Sequence, residues 1–429
     1  MSKIIKAWSQ YEAGKDYKRH IGLYENNRRN ERFYRGDQWY DSAASDLPKP
    51  VFNIIKRVVD FLVCSVASSD ISLRYTDENL PFMTEEEEIE AQKAALAVLA
   101  KNAEYRWEKN GMSSKAYRLL TDAAISGDGV IYCYWDPELR GPQGFTGDIV
   151  TEIIDNVNLF VSDVNRADIQ SQDYIILSSR AGVSSLRREA MQNGVDAETA
   201  LKISADGVRD SYTDLSSREL EGDEEEKTTY IIKFWREDGK VVFEKSTREC
   251  VIKRVYTESR LYPVAYFNWM PTKNSFHGAS PVTSLIPNQR FINRAYALAM
   301  KHMTDTAFSK VVYDKSKIPE WSNGVGEAIA AVGGGNVADA VSVVGVGDMQ
   351  DGYMELIESA MSVTKELMGA TESALGNIDA KNTSAIIALQ ETSRITLEQI
   401  RAAYYQCIED MANIWADMMC AYFPKQRLL

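Results

Sequence analysis

Read by hydrophobic period, the chain changes character twice. Up to residue 126 apolar side chains recur at threes and fours. From 128 to 270 they come in short β-branched and aromatic runs, and from 281 onward the helical spacing returns in unusually long stretches. A chain patterned in this way is expected to be α+β and predominantly helical, with a sheet subdomain set between helical regions.

The first region reads as several helices. Residues 8–35 are helical in pattern, and Gly36, Pro48 and Pro50 break it. It resumes after Asn53, a capping residue, in IIKRVVDFLVCSVAS. Residues 85–110 open with acids at the positive end of the helix dipole, and residues 113–126 form another helix ending at SGDG. Asp128 in that motif reads as a turn residue. GVIYCYW, IVTEIID, YIILSSR, TTYIIKFWRE, KVVFEKS and VIKRVY then read as strands, with a type I′ hairpin at Asp238-Gly239. A short helix within 183–207 and an exposed acidic loop at 208–228 interrupt them.

Residues 285–312, 28 in number, read as one helix about 42 Å long. On it Arg290, Arg294 and Lys301 fall within about 40° of one another, a basic stripe or simply a solvated face. A Gly- and Val-rich segment, 313–348, carries Trp321, and a shorter helix follows at 350–368. After the polar loop ATESALGNIDAKN, residues 383–422 read as a helix on the order of 60 Å long. Long helices broken by two inserts suit an elongated oligomer subunit better than a compact enzyme.

Charge and chemistry narrow the function. Across 429 residues, 49 Lys and Arg against 62 Asp and Glu give a net charge of −13, so phosphate contact must be local or deliberately weak. The acidic runs at 85–88 and 219–226 read as solvated. Five scattered cysteines, without CxxC, read as buried thiols of a reducing compartment. The N-terminus lacks the apolar segment of a signal peptide, and the weakly polar stretch 328–347 is a poor membrane span. Three histidines in separate regions, His20, His277 and His302, do not suggest a triad or a multi-histidine metal site. Neither GxxxxGK[ST] nor GxGxxG leading into a helix occurs, so no cofactor is expected. The abundant carboxylates leave a metal-dependent nuclease as the enzymatic alternative, although none fall in a recognisable ligand spacing.

Five segments in order carry a resemblance. NERFYRGDQW, LPKPVFNIIKRVVDFLV, VNLFVSD, the long helix after HGASPV with its Gln289 and Asn293, and TESALG followed by AIIALQ together resemble the portal protein, or head-to-tail connector, of tailed double-stranded DNA bacteriophages. The resemblance implies a non-enzymatic ring, usually of twelve subunits, at one capsid vertex of the virion, through which the genome enters and leaves. It implies a wing at 1–283 (helical to 127, sheet 128–270), a first stem helix at 284–312 and a clip at 313–347. A second stem helix at 348–369, a tunnel loop at 370–382 and a long wing helix from 383 follow. The crown would be short or truncated, since the sequence stops at KQRLL.

Assembly in the bacterial host cytoplasm is implied too. The implied partners are further copies, double-stranded DNA held without base readout, the terminase large subunit, a head-tail adaptor, the major capsid protein and scaffolding protein, with no membrane. A sliding duplex tolerates only sparse contacts. The channel-facing candidates are therefore Arg290, Arg294, Lys301, Asn377, Lys381 and Asn382, and Trp321 is the candidate docking anchor of the clip, a buried tryptophan being the alternative. Another capsid or tail-adaptor subunit remains the structural alternative.

Overall fold

The computed structural model describes residues 3–41, 46–67, 71–77, 80, 85–140, 144–206, 226–306, 310–322, 329–333, 336–344, 352–367, 397–424 and 427. They form two compact units, one of Met1–Asp37, Ile55–Ile286 and Met368–Leu429, the other of Gln38–Ile54 and Pro287–Leu367.

The larger unit opens with α1 (Lys3–His20) and α2 (Leu23–Arg35), two helices where the pattern predicts one. Gly22 separates them by taking a left-handed conformation, φ 68°, that glycine adopts without strain. Helices α3 (Ile54–Ala67), α4 (Glu86–Lys109) and α5 (Met112–Ser126) follow close to their predicted bounds.

Strands β1 (Asp128–Arg140), β2 (Thr146–Ile154), β3 (Leu159–Val161) and β4 (Tyr174–Gly182) precede a helical insert, α6 (Val183–Gln192) and α7 (Ala197–Leu201). Strands β5 (Lys227–Glu237), β6 (Lys240–Ser246), β7 (Val251–Tyr256) and β8 (Val264–Asn268) complete the set. They make an antiparallel sheet in the order β2-β1-β8 and another in the order β3-β4-β5-β6-β7. The hairpin between β5 and β6 turns at Asp238 and Gly239 with φ 50° and 78°, as a type I′ turn requires.

Alternation along β4 divides its side chains between two cores. Ile175 and Leu177 join Val130, Phe234, Val264 and Tyr266, which come from both sheets. Ile176, facing the other way, packs with Phe160 and Ile231 under Ala7, Trp8 and Tyr11 of α1. The last helix, α10 (Glu398–Tyr422 as described), lies against the three-stranded sheet, where Trp415 Nε1 donates to Thr151 Oγ1 at 3.0 Å. The predicted start of this helix at 383, the tunnel loop at 370–382 and most of the acidic loop lie outside the described residues.

The smaller unit holds most of α8 (Pro281–Thr306), then β9 (Lys310–Tyr313), β10 (Val341–Val344) and α9 (Gly352–Glu366). Here the sequence reading needs correction, because the helix is described as far as Thr306 and Lys310–Tyr313, predicted to belong to it up to residue 312, form a strand. Lys310, Val311 and Val312 instead pair antiparallel with residues 342–344, which suits β-branched side chains better than a helix end. The division between the units falls at Pro287, inside α8, where a backbone donor is missing from the helix ladder.

Candidate functional site

In the smaller unit, buried amides fasten residues 38–54 to α8. Gln289 Nε2 donates to the Phe52 carbonyl at 2.7 Å and to Asn293 Oδ1 at 3.0 Å, and its Oε1 accepts from the Ile54 backbone at 3.0 Å. Asn293 Nδ2 donates to Gln38 Oε1 at 2.6 Å, and Gln38 Nε2 reaches Asn53 Oδ1 at 3.1 Å. Gln289 and Asn293 are both buried, so each bond is made away from competing water. The Phe52 and Tyr296 rings lie 4.2 Å apart beside this network.

Helix α9 rests on α8 through its own inner face. Tyr353 Oη donates to the Ala295 carbonyl at 3.2 Å, Tyr296 Oη to Met361 Sδ at 3.7 Å, and Ile357 and Thr364 are buried. On its outer side Leu356, Val363 and Leu367 are exposed at 54, 49 and 66%. Helix α8 has an outer side too, with Phe291 at 49% and Leu298 at 45%.

The predicted channel residues divide into three groups. Arg290 is ion-paired with Asp41. Arg294 is exposed and Lys301 half-buried, on the same side of α8 as Phe291 and Leu298, and neither has an ion-pair partner among the described residues. Asn377, Lys381 and Asn382 lie outside the described residues. Trp321 is half-buried and stacked on Tyr313 of β9, ring centroids 5.2 Å apart.

The larger unit contains a feature that sequence reasoning missed. Asp128, read as a turn residue, opens β1 instead, and its side chain is fully buried and takes hydrogen bonds from four donors. They are His277 Nδ1 at 2.6 Å, the Gly278 backbone at 2.7 Å, Asn156 Nδ2 at 2.8 Å and Asn268 Nδ2 at 3.0 Å. Burial raises its pKa, but His277 and the other donors outweigh that and hold the carboxyl below the ordinary carboxylate range. The approach depends on glycine, because a Cβ on Gly127, at φ 95°, would stand 2.6 Å from the Gly278 carbonyl oxygen. Both members of the His277 and Asp128 pair are sealed from solvent, which suits a structural pin joining β1 to the segment that leads into α8.

Two further buried charges hold this unit together. Lys18 Nζ donates to the carbonyls of Asn156, Val157 and Leu159, and burial pushes its ammonium down to about 7 against the pull of Asp155 and Asp128. Asp148 receives Lys109, Arg427 at 2.9 Å and Arg106 at 3.6 Å. Of the cysteines, Cys133, Cys250 and Cys407 are buried as expected, while Cys64 and Cys420 are exposed, so the reading of all five as core thiols is corrected. Burial pushes the Cys133 thiol up to about 12. Among the described residues, no group of three or more His, Cys, Asp or Glu side chains could hold a metal ion, and no helix is long and apolar enough to cross a membrane.

Residues 262–429 match the family model described as Phage P22-like portal protein. The match takes in β8, α8, the β9 and β10 pair, α9 and α10, and it bears out the resemblance drawn from the sequence over that part of the chain. No curated protein matches the chain.

Proposed function

We propose that this chain, carrying a P22-like portal domain, is the ring-forming subunit that builds the DNA channel at the unique vertex of a tailed phage capsid. A phage portal protein is a structural component of the virion that assembles with copies of itself and with other phage proteins. The proposal adds a closed ring, a duplex moving through it during packaging and ejection, and docking of terminase and adaptor at the clip. In this reading wing, stem, clip and tunnel loop take the bounds that the resemblance implies, except that the first stem helix is described only to Thr306.

The observation that carries this reading is the smaller unit's surface. Two helices, already packed on each other, still expose seven large apolar side chains along them or just past their end, Phe291, Leu298, Met300, Met303, Leu356, Val363 and Leu367. Exposed apolar patches of this kind mark contact with another protein. A subunit of a ring has neighbours to cover them.

Within that ring, Lys381, Asn377 and Asn382 take the proposed duplex contacts, joined by Arg290, which is ion-paired with Asp41. For Arg294 and Lys301 two roles compete, contact with DNA or with a neighbouring copy. The apolar side chains beside them favour the neighbour, since a wet channel wall gains nothing from exposed phenylalanine and leucine. Trp321 with Tyr313 supplies the proposed docking platform of the clip.

A Lys381→Glu chain tests the channel assignment. It is expected to form rings of normal mass but to package or retain less DNA in an assembled capsid. Normal packaging and retention by such rings would remove Lys381 from the channel wall.

A further inference from the structure

The exposed stripes of α8 and α9 are chemically complementary. At about 100° per residue, Phe291 and Leu298 lie within about 20° of each other, with Arg294 and Lys301 along one flank. Asp305, two turns beyond Leu298, ends that stripe. On α9, Leu356, Val363 and Leu367 lie within about 40° of one another, and the flank next to them carries Glu355 and Glu366. Each helix thus presents an apolar ridge with a charged border, basic on α8 and acidic on α9. Both glutamates are exposed. Glu366 accepts a hydrogen bond from Ser362 within its own helix. Neither stripe is spent on packing the two helices together, because that contact uses Ala295, Tyr296, Tyr353 and Met361.

We propose that the outer face of α8 in one copy packs against the outer face of α9 in the next. Phe291 and Leu298 meet Leu356, Val363 and Leu367, and Arg294 and Lys301 pair across the border with Glu355 and Glu366. This inference rests on the ring reading above and goes further by naming which faces meet. The occupant is a second copy because one chain carries both halves of the match. Joining different faces makes the contact heterologous, and a heterologous contact closes into a ring when the rotation from copy to copy returns to the start. It also assigns Arg294 and Lys301 to the seam between subunits and leaves duplex contact to other side chains.

Charge reversal tests this directly. One variant carries Arg294→Glu and Lys301→Glu, the other Glu355→Lys and Glu366→Lys, and native mass spectrometry reads assembly for each alone and for an equimolar mixture. Alone, each variant sets like charges against each other at every seam, and half-assembly should need at least about tenfold more protein. In the mixture an acidic α8 border meets a basic α9 border and the reverse at the next seam, so alternating rings should form at the wild-type concentration. Assembly of either variant alone like wild type would overturn the seam while leaving the ring intact. A mixture that stays apart, although circular dichroism shows both variants folded, would overturn it as well. A wild-type chain that forms no multi-copy species would overturn the ring reading and the seam together, and its own mass distinguishes that case.

Discussion

Asp128 shows how one carboxylate can organise a large unit. Its four donors come from segments up to 150 residues away, and removing it deprives all four of this acceptor, leaving the buried His277 ring without its partner. Asp128→Ala should therefore cost about 3–5 kcal/mol in chemical denaturation, in the range seen when one partner of a buried charge pair is lost. Its folded pKa lies below the ordinary 3.8, so the unfolded chain takes up the proton first as pH falls. The stabilisation is full above 3.8 and is lost as pH drops through the lower folded value. Asp128→Asn should flatten the acid limb of the stability curve.

Lys18 titrates in the opposite region. Between about 7 and 10.5 the unfolded chain keeps a proton that the folded chain has released, so stability should rise with pH there, and Lys18→Met should abolish the slope. None of this was legible in the sequence. SGDG reads as a turn, and the histidine that pairs with its aspartate is 149 residues further on.

At the scale of elements, periodicity carried most of the information. The six predicted strand runs form, with β4 and β5 sending alternate residues into two separate buried cores. The end of α8 was not legible. Val311 and Val312 continue an apolar pattern that fits helix or strand, and only pairing with residues about thirty positions later decides between them. Gln289 and Asn293 stood out as part of a resemblance, and their role is physical, since they hold residues 38–54 to the helix. Asn293→Leu should speed hydrogen exchange at residues 52–54 and lower stability by about 1–3 kcal/mol, because Gln38 and Gln289 each lose a buried partner. Unchanged exchange would mean that the aromatic contact of Phe52 with Tyr296 suffices.

For the whole molecule, the central claim is that the chain completes itself only among copies. Its net charge of −13 suits a channel through which DNA slides without being gripped, and its exposed stripes suit neighbours. Both properties suit an assembly, and neither periodicity nor motif could give the geometry of the proposed seam. The most direct test is the native mass of the purified chain, with averaged particle images of the same sample. Twelve copies of 48.3 kDa predict a closed species of about 580 kDa with a central hole, and another ring order would change the mass but keep the hole. A compact dimer without a channel, stable at every concentration, would contradict the account.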